Sequence, residues 1–426
     1  MTTEDNIKDE ILNVGIVGHI DHGKTTLLQK LSGKWTDTHS EELKRGITIK
    51  LGYAEATIYE DNGEYNIQGK GKKLREVSFI DAPGHEMLMA TMLSGAALID
   101  AAVLVIAVNE GIKPQTKEHL MALQAKGIKN LIVVQSKLDL ADEAGARKSY
   151  EEIKNFIKGK YENIIIIPVS AQQSINVDAI WKALSEIKIP QRDNSGEPIF
   201  VVARSFDINK PGTEPKNLHG AVLGGTLKKG VLKVGDEIEL KPGRIVKEMN
   251  KSRYENVVTK IASLFRSNKK VDKLTPGGSA SIETELDMVF GKSDALAGNI
   301  LSLSGKLPAP VDSIKLEYKL FPDVEVFDKP RTEVRGTLRA SKSPTKYTQG
   351  LFDATNSKEK KELLKHSEMI LLSINTSLTG GTISSIKDDK LEISLKKPVI
   401  AFKGDNVGIA RSIEGHWRLI GSGIVI

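Results

Sequence analysis

Residues 18–26 read GHIDHGKTT and follow the apolar run ILNVGIVG at 11–18. Gly18, Gly23, Lys24 and Thr25 match the phosphate-loop spacing G-x-x-x-x-G-K-[ST]. The flanking residues supply the setting that motif needs. Residues 11–17 are apolar and β-branched enough for a buried strand, and KTTLLQKLS at 24–32 permits a helix. Glycines let backbone N–H groups turn inward around phosphate oxygens, and a helix N-terminus adds positive potential. Lys24 is expected to reach the β and γ phosphates, and the Thr25 hydroxyl to hold Mg²⁺. An accidental match between a strand and a helix is rare when glycine makes up about 7% of residues. The stretch reads as a nucleotide site.

The rest of the chain sets the frame. Its 426 residues allow two to four domains, each with a real core. With 39% hydrophobic and 27% charged residues, composition is that of a soluble globular protein. The net charge of +6 is compatible with a nucleic-acid partner. The absence of cysteine excludes disulfides, thiolate zinc sites and cysteine nucleophiles, and suits a reducing compartment. The opening MTTEDNIKDE is too acidic and polar for a secretory signal. The longest apolar run, residues 94–108, is broken by Asp100 and too short for a bilayer. A cytoplasmic protein without membrane contact is expected.

From residue 11 to about 190, strand-like runs at 14–18, 51–59, 77–81, 101–108, 130–135 and 163–169 alternate with other segments, including helical patterns at 115–127 and 151–159. That order predicts an α/β domain, a mostly parallel sheet with helices on both faces and ligand loops at the strand carboxyl ends. IPQRDNSGEP at 189–198 marks a boundary, and GKLPAPVDS at 305–313 marks a second. Between and beyond them, short alternating strands with Gly and Pro turns predict two all-β barrels, with one helix candidate at 357–367. The expected domains are 1–195, 196–308 and 309–426. A faint echo links the barrels: GVLKVGDEIEL at 230–240 and PVIAFKGDNVGIA at 398–410 both place Gly-Asp after an apolar strand. The tracts KGKKLR at 70–75 and TNSKEKK at 355–361 read as solvated loops.

Four more short motifs lie farther along the chain. VSFIDAPGH at 77–85 puts Asp81 at a strand end, where such enzymes bind Mg²⁺, usually through water. Gly84 can offer its N–H to the γ-phosphate, and His85 can orient the attacking water as the catalytic residue. RGITIK at 45–50 carries Thr48, whose hydroxyl could join the metal shell only while a γ-phosphate is present. QSKLD at 135–139 ends a strand with Ser136, Lys137 and Asp139. The Asp139 carboxylate can accept both N–H bonds of the guanine edge, while the Lys137 stem lies along the base. VSAQ at 169–172 offers the Ala171 N–H to guanine O6, with Ser170 and Gln172 on either side.

GHIDHGKTT, DAPGHEMLMATMLSGAA, PQTKEHL, RSFDINKPG, GVLKVGDEIEL and HWRLIGSG together resemble the gamma subunit of translation initiation factor 2, archaeal and eukaryotic type. The likeness runs from about residue 11 to the C-terminus; RSFDINKPG and HWRLIGSG separate it from elongation factor Tu. The resemblance implies a GTP-binding domain followed by two β-barrels, acting on GTP and GDP with Mg²⁺. It implies partners: alpha and beta subunits, methionyl initiator tRNA, the small ribosomal subunit, a GTPase-activating factor and a nucleotide exchange factor. Carried over residue by residue, the phosphate site falls on Asp21, His22, Gly23, Lys24, Thr25 and Thr26. The principal Mg²⁺ ligands fall on Thr25 and Thr48, and a second metal of some members on Asp21 and Gly46. Guanine recognition falls on residues 136–139 and 170–172. Tyr53, in LGYAEA, lies in a segment the family uses near the aminoacyl end of tRNA, and a core tyrosine is nearly as good a reading.

Two departures stand out. Family members commonly carry Asn where this chain has Ser136, an exchange expected to cost about 1 kcal/mol, one neutral hydrogen bond. The family often inserts a cysteine-rich zinc knuckle before VSFIDAPGH, whereas residues 60–77 here contain no cysteine, so no zinc is expected. Rival readings are an elongation-type, selenocysteine-specific GTPase, a scaffold that binds tRNA without hydrolysing GTP, and a sulfate-activating GTPase partner.

Overall fold

The computed structural model describes residues 11–36, 51–83, 89–162, 164–248, 251–266, 269–321, 364–413 and 415–426. Gly46, Thr48, Gly84 and His85 lie outside them. So does most of the helix candidate at 357–367.

In chain order the first domain comprises β1 (Ile11–Gly18), α1 (Lys24–Ser32), β2 (Gly52–Asp61), β3 (Glu64–Asn66), β4 (Lys72–Asp81), α2 (Met89–Ala96), β5 (Ala101–Ala107), α3 (Pro114–Ala125), β6 (Asn130–Ser136), α4 (Glu143–Ile157), β7 (Ile165–Pro168) and α5 (Val177–Glu186). The strands form one sheet in the order β3-β2-β4-β1-β5-β6-β7. All eight residues of β1 and all seven of β5 are buried, the signature of a parallel sheet covered on both faces. Leu12, Val14 and Ile16 of β1 pack into one core with α1 and α5, while Val17 joins the other with α2 and α3. The six sequence-derived strands all form.

Two local readings change. Residues 72–75, expected as a solvated loop, are strand. Asn62 and Gly63, with φ of 54° and 88°, make the tight turn that folds β3 back on β2, and β4 then pairs with β2 through Tyr59↔Lys73 and Glu60↔Lys72. Arg75 is held there because its Nη1 donates to the Leu184 and Ile187 carbonyls at the end of α5, at 2.6 and 2.5 Å. The second change is the start of α4. It begins at Glu143, eight residues before the periodic stretch, because Asp142 caps it by accepting from the Gly145 N–H at 2.8 Å.

The second unit holds β8 (Ile199–Phe206), β9 (Val222–Lys229), β10 (Leu232–Lys233), β11 (Glu237–Glu248), β12 (Lys251–Arg266), β13 (Lys269–Val271), β14 (Lys273–Leu274), β15 (Ala280–Thr284) and β16 (Ile300–Leu303). The sheet order β11-β16-β8-β9-β15-β12 closes through a β11–β12 pairing, and β13 extends it. The third unit is the closed barrel β17-β20-β19-β18-β21-β22, built from β17 (Val311–Leu320), β18 (Met369–Ile374), β19 (Ser377–Lys387), β20 (Lys390–Val399), β21 (Asn406–Ile413) and β22 (His416–Val425). The Gly-Asp echo has a structural basis. In each barrel the glycine is left-handed, and the aspartate accepts from the N–H three residues earlier: Lys233 to Asp236 at 2.7 Å, Phe402 to Asp405 at 2.9 Å. Each turn leads into the next long strand.

Polar pins join the three units, whose barrels are named the second and third barrel after their units. Arg192, in the connecting segment, grips Asp100 with two bonds of 3.0 and 2.6 Å at the amino end of β5. Asn13 accepts from the Gly278 N–H, and the Ser78 and Ser279 hydroxyls meet at 2.6 Å. The third barrel reaches the first domain through Lys126 Nζ to the Ser373 carbonyl at 2.9 Å and Arg418 to Glu118 at 2.6 Å.

Candidate nucleotide site

The chain passes from β1 to β4 on one side of the sheet, then crosses to β5 on the other. The carboxyl end of β1 is therefore the topological switch point, where open α/β sheets bind ligands. The loop from Gly18 to Thr25 sits there. Gly18 has φ 142°, and a Cβ at this position would collide with the Val105 carbonyl oxygen of β5. Gly23, the N-cap of α1 with φ 87°, has nothing within 4 Å of where a Cβ would be. Asp21 is also left-handed, at φ 60°. Lys24 is largely buried and donates to the His19 carbonyl of its own loop at 2.8 Å. Thr25 and Thr26 occupy the first turn of α1, half-buried.

Histidines line the loop. His22 donates from Nδ1 to the Val105 carbonyl at 3.2 Å, and its Nε2 stands 3.8 Å from Glu110. Burial lowers its pKa to about 4. His119 of α3 accepts the Gly18 N–H on Nδ1 at 2.9 Å, and burial, followed by the Lys24 charge, lowers its pKa to about 3. The His19 and His22 rings meet edge-on at 5.0 Å, and burial lowers His19 as well. All three rings are neutral near pH 7, so the positive charge within this loop is that of Lys24.

The metal expectation can be tested on the donors. Thr25 Oγ1 and Thr36 Oγ1 both donate to Asp81 Oδ2, at 2.9 and 3.0 Å. A hydroxyl at a helix start and a fully buried carboxylate at the end of β4 thus face one another beside the loop. This hard-oxygen donor set fits Mg²⁺.

The base-side motifs come together as well. The Leu138 N–H donates to the Val169 carbonyl at 3.1 Å and the Val169 N–H to the Gln135 carbonyl at 2.8 Å, which ties the two strand ends. Lys137 is left-handed at φ 56°, and its Nζ lies 3.4 Å from Glu110 Oε1. Ser170 Oγ donates to Asp139 Oδ1 at 2.5 Å and accepts the Gln173 N–H at 3.2 Å, which orients an otherwise exposed carboxylate. Ala171 is half-buried and Gln172 exposed on the same turn. Ser136 does not face the base turn. Its hydroxyl donates to the His22 carbonyl of the phosphate loop at 2.6 Å, fully enclosed. The short side chain keeps a brace across the two loops.

Tyr53 of β2 is half-buried, but its hydroxyl is enclosed and has no hydrogen-bond partner among the described residues; burial raises its pKa. It lines a cavity of about 200 Å³ with Lys34, Glu55, Arg204, Phe206 and Phe265, between the first domain and the second barrel. Arg204 is steered by its Nε bond to Asp294 at 2.8 Å. Sequence reading did not single out Thr36, Glu110, His119 or Arg204. His119 stands inside PQTKEHL and Arg204 inside RSFDINKPG, quoted above for their likeness only, and Thr36 carries no local signal.

Comparison with known proteins agrees with these motifs. Residues 9–190 match the family model "Elongation factor Tu GTP binding domain", and residues 348–425 match "Initiation factor eIF2 gamma, C terminal". The chain is 46% identical to translation initiation factor 2 subunit gamma of Methanococcus vannielii over 97% of this chain and 98% of that one. Identity to the protein of the same description in Methanocaldococcus jannaschii is 45%, with both chains covered end to end. Among solved structures, a bacterial selenocysteine-specific elongation factor superposes with a TM-score of 0.71 at 24% identity, over 97% of this chain and 58% of that one. Translation elongation factor SelB from Methanococcus maripaludis does so at 0.67 and 23%. At such identities the likeness concerns the fold.

Proposed function

The chain belongs to the gamma-subunit family of translation initiation factor 2, translational GTPases, and from that premise we propose that it binds methionyl initiator tRNA in its GTP form and delivers it to the small ribosomal subunit. The observation that carries this reading is likeness along the whole length, barrels included, to proteins described as this subunit. GTP hydrolysis is the release step. The nucleotide is held by Asp21, His22, Gly23, Lys24, Thr25 and Thr26, with Gly84 at the γ-phosphate, Ser136 bracing the loop from behind, and Lys137, Asp139, Ser170, Ala171 and Gln172 around the base. His85 orients water.

Lys24 sits at the loop with neutral histidines behind it, so its charge is directed at phosphate oxygens. Asp139 accepts from the guanine N–H groups, and its bond from Ser170 fixes its direction. Thr25, Thr48 and Asp81 would hold Mg²⁺, which would supply positive charge to the phosphates; Asp21 and Gly46 are the positions for a second ion. The units run 1–195, 196–308 and 309–426. The cavity at Tyr53 accepts the aminoacyl end of the tRNA, with Arg204 and Lys34 as its cationic side. The remaining tRNA contact depends on phosphates and shape. Alpha and beta subunits, an activating factor and an exchange factor complete a cytoplasmic cycle. Among the described residues no helix is long and apolar enough to cross a membrane.

The test is binding of methionyl initiator tRNA and of elongator aminoacyl-tRNA to the purified chain, with a non-hydrolysable GTP analogue or GDP, alone and with candidate alpha and beta subunits. Preference for the initiator with the triphosphate supports the reading. Equal affinity for both tRNAs rejects it in favour of an elongation-type factor. Single-turnover hydrolysis on ribosomal complexes by His85→Ala, at an unchanged rate, would remove His85 from the mechanism.

A further inference from the structure

Two neighbouring residues of α3 point in different directions. His119 reaches the phosphate loop, where Nδ1 accepts the Gly18 N–H at 2.9 Å. Glu118 reaches the third barrel, where Oε1 accepts from Arg418 Nη1 of β22 at 2.6 Å. Both side chains are buried, at 1% and 2% exposure, and α3 packs against β22, β21 and β1 at once. Successive helix positions project about 100° apart, so one rigid helix carries both contacts.

We propose that His119 is a positioning residue of the phosphate loop, and that the third barrel acts on it through the Arg418–Glu118 pair. The barrel thereby sets how firmly the loop retains nucleotide. The proposal rests on residues 18–25 being the phosphate loop.

Three features carry it. The Gly18 N–H, buried at the end of β1, donates to the His119 imidazole, so removing the ring takes its acceptor away. A side chain at Gly18 would strike the Val105 carbonyl oxygen, so the loop entry packs close against β5. The Arg418–Glu118 contact is charge-assisted, with Glu118 buried and Arg418 19% exposed, so it resists sliding of β22 along α3. Moving the barrel therefore moves the helix, and the helix moves the acceptor on which the first amide of the loop depends.

The experiment is stopped-flow release of N-methylanthraniloyl-GDP from the full chain. His119→Leu should speed release about tenfold or more, the effect of orphaning one buried N–H. His119→Asn places an amide oxygen near the Nδ1 position and should restore the rate to within about threefold of wild type. Arg418→Met should also speed release, and adding it to His119→Leu should change the rate by less than about twofold, because the two act through one element. Thermal midpoints separate misfolding from relay: the Asn variant restores release, not merely stability. An unchanged rate in His119→Leu overturns the positioning role. An unchanged rate in Arg418→Met, or effects that multiply independently in the double variant, overturns the barrel link. If the wild-type chain retains no guanine nucleotide at all, the loop assignment fails instead.

Discussion

Ser136→Ala tests whether the phosphate loop is held from behind. In the structure the Ser136 hydroxyl donates to the His22 carbonyl at 2.6 Å, with His22 fully buried and Ser136 4% exposed. The alanine variant leaves that carbonyl without the donor, in a place water does not reach, at a cost of about 1–3 kcal/mol. Loop geometry and nucleotide contacts are coupled, so GDP affinity should fall about tenfold, within a range of about 5–150-fold. Ser136→Asn is the informative partner, because its amide N–H can make the same bond and should keep affinity within about threefold. Fluorescence titration with N-methylanthraniloyl-GDP gives the affinity, and thermal melts give the stability share. Two results would refute the reasoning: Ser136→Ala matching wild type in both measurements, or Ser136→Asn failing as badly as Ser136→Ala.

Other outcomes follow from the buried groups. His22 and His119 have folded pKa values near 4 and 3, below the ordinary 6.5, so the unfolded chain takes up their protons first as pH falls. Stability should decline from pH 6.5 downward, by about 1.4 kcal/mol per pH unit for each; a melting curve for His119→Leu with the same pH slope as wild type would contradict this. Lys126 has its pKa lowered to about 7 from 10.5 by burial, so between those values the unfolded state holds the extra proton and wild-type stability should rise with pH. Lys126→Met should lose that rise, visible as a converging pair of melting profiles above neutrality. Tyr53→Phe removes a buried hydroxyl with no partner among the described residues, so the melting temperature should hold or increase while methionyl-tRNA binding weakens. Equal tRNA affinity would take the hydroxyl out of the cavity's function.

The phosphate loop was legible because its requirements are local. Glycines at two fixed positions, a lysine and a threonine can be read without knowing any partner strand. The base turn was legible for the same reason, as short runs at strand ends. The role of Ser136 was legible only in part. Sequence shows a missing amide, but that the hydroxyl bonds the His22 carbonyl depends on two segments 114 residues apart. His119 and Thr36 are of that kind too, side chains whose partners come from tertiary contact. The tract at 70–75 was misread for a different reason. Its lysines look solvated, but Lys72 and Lys73 pair with Glu60 and Tyr59 of β2, a partner fixed only by the sheet. Arg204 and the Tyr53 cavity exist only once a barrel docks on the sheet.

The grip of Arg192 on Asp100 lies at the amino ends of the strands, on the side of the sheet away from the phosphate loop. Asn13, Gly278, Ser78 and Ser279 continue that row of bonds. Any swing of the second barrel that spares them is a rotation about a fixed corner, with travel growing with distance from it. Tyr53, beside Ile80 near the carboxyl end of β4, lies at the far rim. A few degrees at that corner therefore widen the Tyr53 cavity more than they move the linker.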